Sequence, residues 1–175
     1  MIPVESLTTF VIASILLALA PGPDNIFVLT QSSVNGHKAG LFVTLGLCTG
    51  LIVHTMAVAL GITALLQASY TAFTLLKIVG AIYLLYLAWQ AFHARAEEIG
   101  DDEITGTSSM KFYLRGIIMN VTNPKVSIFF LAFLPQFAGP SRGSITQQIF
   151  ILGAVFILVT LLVFGGIALL AGYVG

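Results

Sequence analysis

Residues 7–31 read LTTFVIASILLALAPGPDNIFVLTQ, an apolar stretch interrupted by Ala20-Pro21-Gly22-Pro23-Asp24. A helix that crosses a bilayer core of roughly 30 Å needs about 20 mostly apolar residues, so the stretch is long enough to span. Outward from it, residues 41–66, 72–92, 112–137 and 145–173 meet the same criterion, which predicts five spans. Segments such as Ile149-Phe150-Ile151-Leu152 are apolar all round, as lipid-embedded helices are. The alternating pattern of a membrane β-barrel is absent from the sequence. The fold class is therefore all-α, a polytopic membrane helical bundle.

Composition agrees. Of 175 residues, 58% are hydrophobic and 8% charged, and the mean hydropathy is +1.03. A soluble domain carries about 25% charged residues, so a soluble enzyme, a nucleic-acid binder and a disordered tail are excluded. Seven Lys and Arg balance seven Asp and Glu, which leaves no basic field for a nucleic-acid partner. The partner that the sequence calls for is the lipid bilayer. The single cysteine, Cys48, cannot form an internal disulfide, a CxxC pair or a four-ligand zinc site, and reads as buried and inert. The N-terminal segment has Glu5 as its only charge and runs on into apolar sequence, so it reads as a first span and not as a cleaved signal.

The chain reads as one transmembrane domain over 1–175, with a first repeat at 1–92, a polar linker at 93–111 and a second, incomplete repeat at 112–175. The linker holds Glu97, Glu98, Asp101, Asp102 and Glu103 and is expected to be solvated. No GxxxxGK[ST] loop occurs, so any transport is driven by an ion gradient or by the gradient of the cargo. Lys38, Arg95, Lys111 and Arg115 fall on one side and Arg142 on the other, which places the first set in the cytoplasm and the N-terminus outside.

Two segments echo each other. Gly22-Pro23-Asp24-Asn25-Ile26-Phe27-Val28 in span one matches Asn123-Pro124-Lys125-Val126-Ser127-Ile128-Phe129-Phe130 in span four, and the stretch from Gly50 to Gly61 resembles that from Gly153 to Gly165. Three spans precede the second copy, so it enters from the opposite face, the arrangement of inverted three-helix repeats. Span three has no counterpart, and a sixth helix is expected that this chain lacks.

The breaks are where chemistry is expected. Proline inside a helix removes a donor and displaces the carbonyl four residues earlier, which points to Leu17 and Leu19 for Pro21 and Pro23 and to Asn120 for Pro124. Gly22-Pro23 and Asn123-Pro124 read as helix restarts, each with free N–H groups and about half a positive charge. Free N–H groups can hold a carboxylate and freed carbonyls an ammonium, and a free amino acid carries both. The alternative is a pair of packing kinks.

Asp24 and Lys125 each cost roughly 2.5–3.5 kcal/mol at a helix centre, so neither is expected to face lipid, and their matching positions predict that they approach each other. Asp24 is the candidate proton carrier. In the alternative, Asp24 only stabilises the helix start and Lys125 neutralises it. Gly116, Asn120, Asn123 and Ser127 share a face of span four, and Ser14, Ala18, Pro21 and Asn25 a face of span one; both stripes can bind cargo or hold helices together. His54 lies on the Gly46–Gly50 face and reads either as a hydrogen-bonded packing residue or as a proton relay. Lys77 either snorkels to headgroups or lines the pathway, and Tyr83, Tyr86 and Trp89 read as interfacial anchors and packing.

Three motifs carry a resemblance: Ala20-Pro21-Gly22-Pro23-Asp24, Lys77-Ile78-Val79-Gly80-Ala81-Ile82-Tyr83-Leu84 and Asn123-Pro124-Lys125. In this order they resemble the signature of the lysine exporter family, including its homoserine and threonine efflux branch. The resemblance implies a secondary transporter of the bacterial inner membrane that exports amino acids or close derivatives in exchange for protons, as a homodimer and without a cofactor. Members have six hydrophobic segments, against five here. An ion channel or metal exporter is the competing reading, with Asp24, Cys48 and His54 as the only ligands in the spans, and no metal is expected because Cys48 and His54 lie on different helix faces. A non-transporting membrane subunit is the other. No nucleophile–base–orienter set can be assembled, so an enzyme is not expected.

Overall fold

A computed structural model describes residues 2–93 and 108–174. The acidic part of the linker, with Arg95, Glu97, Glu98, Asp101, Asp102 and Glu103, lies outside the described residues. The described chain is all-helical: α1 is Val4–Leu19, α2 Pro23–Asn35, α3 His37–Ala68, α4 Tyr70–His93, α5 Ser109–Thr122, α6 Pro124–Ile128 and α7 Ile145–Val174. Within α3, α4 and α7 lie three stretches, His37–Gly61, Thr71–Gln90 and Ile145–Tyr173, that can each cross a bilayer. The pair α1–α2 bends by 60°, and the pair α5–α6 with its continuation to Phe137 bends by 52°; counted as one span each, they bring the total to five.

Both bends have the cause that the sequence announces. α1 ends at Leu19, the chain is extended at Ala20 and Gly22, and α2 restarts with Pro23 at its first position. α5 ends at Thr122, and the side chain of the following Asn123 caps the next helix by accepting from the Lys125 N–H at 3.0 Å, with Pro124 in first position. Proline is tolerated there because its missing N–H would have had no partner. Beyond α6 the chain widens into a π turn at Phe129–Phe133 and tightens into a 3₁₀ turn at Leu134–Phe137. Pro135 explains the irregularity, since its ring cannot lie against the carbonyl of Leu131 in a regular helix.

Small residues set the packing. Gly46 of α3 meets Gly116 of α5 so closely that a Cβ on Gly46 would lie 3.0 Å from the Gly116 Cα, and Gly50 lies equally close under Asn120. The pairings advance together, so α3 and α5 run parallel. Gly153 of α7 lies against Thr55, and Gly172 against His37, so α7 runs antiparallel to α3. Phe10 of α1 packs 5.2 Å from Phe137, and Arg115 of α5 lies 5.9 Å from the Phe27 ring of α2. The two broken spans therefore enter from opposite ends of the bundle. α4 is docked through Gly80 against Ala132 of the π turn and leaves Ile78, Val79, Ile82, Leu85 and Trp89 exposed.

Two apolar clusters fill the interior. One gathers Phe10, Leu51, Phe129, Phe130 and Phe156; the other gathers Phe27, Val28, Val43, Leu47 and Phe164. Members of both line one small cavity, which places that cavity between them.

Candidate functional site

The sequence expectation that Asp24 and Lys125 meet is fulfilled. Lys125 Nζ lies 3.1 Å from Asp24 Oδ1, and the two side chains are only 7% and 6% exposed. They reach each other because each stands just inside a restarted helix, one in each broken span. The ammonium also donates to the Ala20 carbonyl at 3.1 Å and to Asn25 Oδ1 at 3.4 Å. Asn25 is held from behind, since its Nδ2 donates to the Ala18 carbonyl at 2.7 Å.

Side chains at the first break reach the carbonyls of Ala18 and Ala20, which lie beside those of Leu17 and Leu19 that the four-residue rule for proline names. The helix unwinds after Leu19, and Pro23 opens a new one. The same unwinding explains why Pro21 is exposed while Ser14 and Ala18 are buried. At the second break the rule holds. The Asn120 carbonyl accepts from His54 Nε2 at 3.2 Å, which requires the proton on that nitrogen. His54 thus joins the break through hydrogen bonding, and its ring packs 5.6 Å from Phe130.

Asp24, Asn120 and Lys125 line the cavity together with Leu17, Leu47 and Thr160. It has room for about one water molecule. The Asn120 Oδ1 and Asn123 Nδ2 atoms beside the break are buried and have no hydrogen-bond partner. Ser127 turns its hydroxyl back onto the Asn123 carbonyl at 3.0 Å and is half-buried. Lys77 is not among the cavity-lining residues; on α4 its Nζ lies 4.9 Å over the Phe73 ring. Among the described residues, no three His, Cys, Asp or Glu side chains come together as a metal site. Trp89 and Tyr86 are exposed, and Cys48 is buried.

Sequence reasoning missed two contributors. The Ala20 carbonyl has no residue-type signature, and only the extended backbone after α1 reveals it. Thr160 of α7 is one hydroxyl within an otherwise apolar run and becomes visible only when α7 packs against the break.

A family model described as LysE type translocator matches residues 15–174. The chain belongs to this family. It is a family of transporters and not of enzymes, and this member is a multi-pass membrane protein. A Salmonella typhimurium protein named homoserine/homoserine lactone efflux protein is 36% identical over 163 residues, covering 93% of this chain and 78% of the relative. A Bacillus subtilis membrane protein, YrhP, is 31% identical over 169 residues, covering 91% and 80%. A Vibrio cholerae membrane protein is 31% identical over 166 residues, covering 95% and 80%. No solved structure matches the chain significantly.

Proposed function

We propose that this translocator is a secondary exporter of the inner membrane that carries a small amino acid or close derivative outward, with its cargo site at the meeting point of the two broken spans. The observation that carries this reading is the buried Asp24–Lys125 pair between the breaks. An ion pair in hydrocarbon is costly unless well satisfied, so its place at the bundle centre, beside a cavity, supports a functional role over a packing kink. The α-ammonium of the cargo matches the carboxylate and carbonyl oxygens at the first break, and its carboxylate matches the Lys125 ammonium. Asn120, with its orphaned amide oxygen, is a further polar group beside the cavity. The relative's name supports homoserine or its lactone as the cargo class.

The cavity as it stands is too small for an amino acid, so this is a closed state of the carrier and loading requires the breaks to part. The opposite entry of the two broken spans and the antiparallel course of α3 and α7 support inverted repeats rocking about this site. Asp24 is the group assigned to proton coupling.

The test is efflux of radiolabelled homoserine from loaded cells or vesicles, under an imposed proton gradient, for the wild type, Asp24→Asn and Lys125→Ala. Export is expected to fall to the vector background in both variants while membrane insertion persists. Unchanged efflux in both would move the site elsewhere, and efflux indifferent to the proton gradient would remove the coupling.

A further inference from the structure

Lys125 presents three N–H donors, and all three oxygens that receive them belong to the first break: the Ala20 carbonyl, Asp24 Oδ1 and Asn25 Oδ1. Nothing in this cluster is specific to a lysine. It is a receptor for a primary ammonium group, assembled on one broken span and filled by a side chain from the other. Two of its oxygens are positioned without the lysine's help: the Ala20 carbonyl follows directly on α1, and Asn25 is anchored by the Ala18 carbonyl, while the first turn of α2 brings the Asp24 carboxylate beside them.

We infer that Lys125 is a tethered stand-in, and that the cargo's own ammonium displaces it from these three oxygens. This deepens the reading above and rests on its placing of the cargo at the breaks. Charge arithmetic supports the exchange. With a zwitterion bound, the cargo ammonium takes over Asp24, and the released Lys125 ammonium meets the cargo carboxylate. Both acids and both cations stay paired, and the net charge of the site does not change. A compact ammonium on a flexible four-carbon stem suits such an exchange, which the rigid planar fork of arginine does not. When the cargo leaves, Lys125 falls back onto the oxygens and closes the empty carrier as a neutral pair. The two broken spans are thereby tied directly when the site is empty and through the cargo when it is filled.

The test uses methylammonium, an ammonium without a carboxylate, titrated into purified full-length protein in detergent by calorimetry. Lys125→Met, which keeps the stem and removes the charge, is expected to bind methylammonium at least tenfold more tightly than the wild type, with homoserine competing. The gain is expected to vanish in Asp24→Asn/Lys125→Met. If Lys125→Met does not fold, Lys125→Gln, which also removes the charge and keeps a polar head, is expected to show the same gain. No gain in the folded variant, or a gain that survives Asp24→Asn, overturns the inference. Wild-type homoserine efflux is measured in parallel. Efflux without the gain discards the stand-in and leaves the cargo site in place; an Asp24-dependent gain without efflux keeps the ammonium receptor and discards the assigned cargo.

Discussion

Gly22 stands between two prolines with hydrogen where a side chain would begin. A Cβ there would lie 2.7 Å from Asp24 Oδ1 and 2.9 Å from Lys125 Nζ. Its φ of −171° is extended backbone open to any residue, so glycine is needed for space and not for conformation. Gly22→Ala must therefore displace one or both of these charged ends, and export is expected to fall at least tenfold while the protein still inserts; wild-type export would show that the pair tolerates the displacement. Asn25→Ala removes one ammonium acceptor and the donor to the Ala18 carbonyl. Hydrogen bonds between membrane helices are worth about 0.6 kcal/mol on average and up to about 1.7, so a stability loss of about 1 kcal/mol is expected on unfolding in mixed micelles. Asp24 and Lys125 were legible in the sequence because charge in hydrocarbon is expensive and demands a partner. The partner oxygen of Ala20 was not, because every residue has a carbonyl and only the local backbone decides which one is free.

At the scale of the element, the two breaks were legible because a cap residue followed by proline marks a helix restart. What the pattern did not yield was the path of the chain after the second break. Phe129–Phe133 reads as continuous apolar helix, yet it forms a π turn before Pro135. The close pairing of α3 with α5 was half legible: the Gly46–Gly50 face was expected to meet protein, but its partner, Gly116, became evident only in three dimensions. In lipid no hydrophobic force draws these helices together, so the contact depends on how closely the backbones approach. Gly46→Leu and Gly116→Leu would each drive a side chain into the facing backbone and are expected to lower the unfolding midpoint markedly. Gly61→Leu, where a Cβ would meet nothing within 4 Å among the described residues, is expected to leave it within error. Equal effects of the three would mean that the α3–α5 seam contributes no more than an exposed position.

For the molecule as a whole, the parallel course of α3 and α5 puts Lys38, Lys111 and Arg115 at one end, and the antiparallel α7 puts Arg142 at the other. Positive charge in short loops marks the cytoplasmic side, so the end with Lys38 and Lys111 is expected to face inward and the start of α1, packed near Phe137, outward. Under the proposed function the direction of export depends on this, because a cargo bound at the Asp24–Lys125 pair would have to enter from the cytoplasmic end, past the α2–α3 corner and the start of α5. The protein is well suited to a direct check. Cys48, its one native cysteine, is buried, so single cysteines at other positions can be labelled against a quiet background. In intact cells a membrane-impermeant maleimide is expected to modify Arg142→Cys and to spare Lys38→Cys and Lys111→Cys; in inside-out vesicles the pattern is expected to reverse. Labelling of Lys38→Cys from outside would invert the molecule in the membrane and make the same site an importer's.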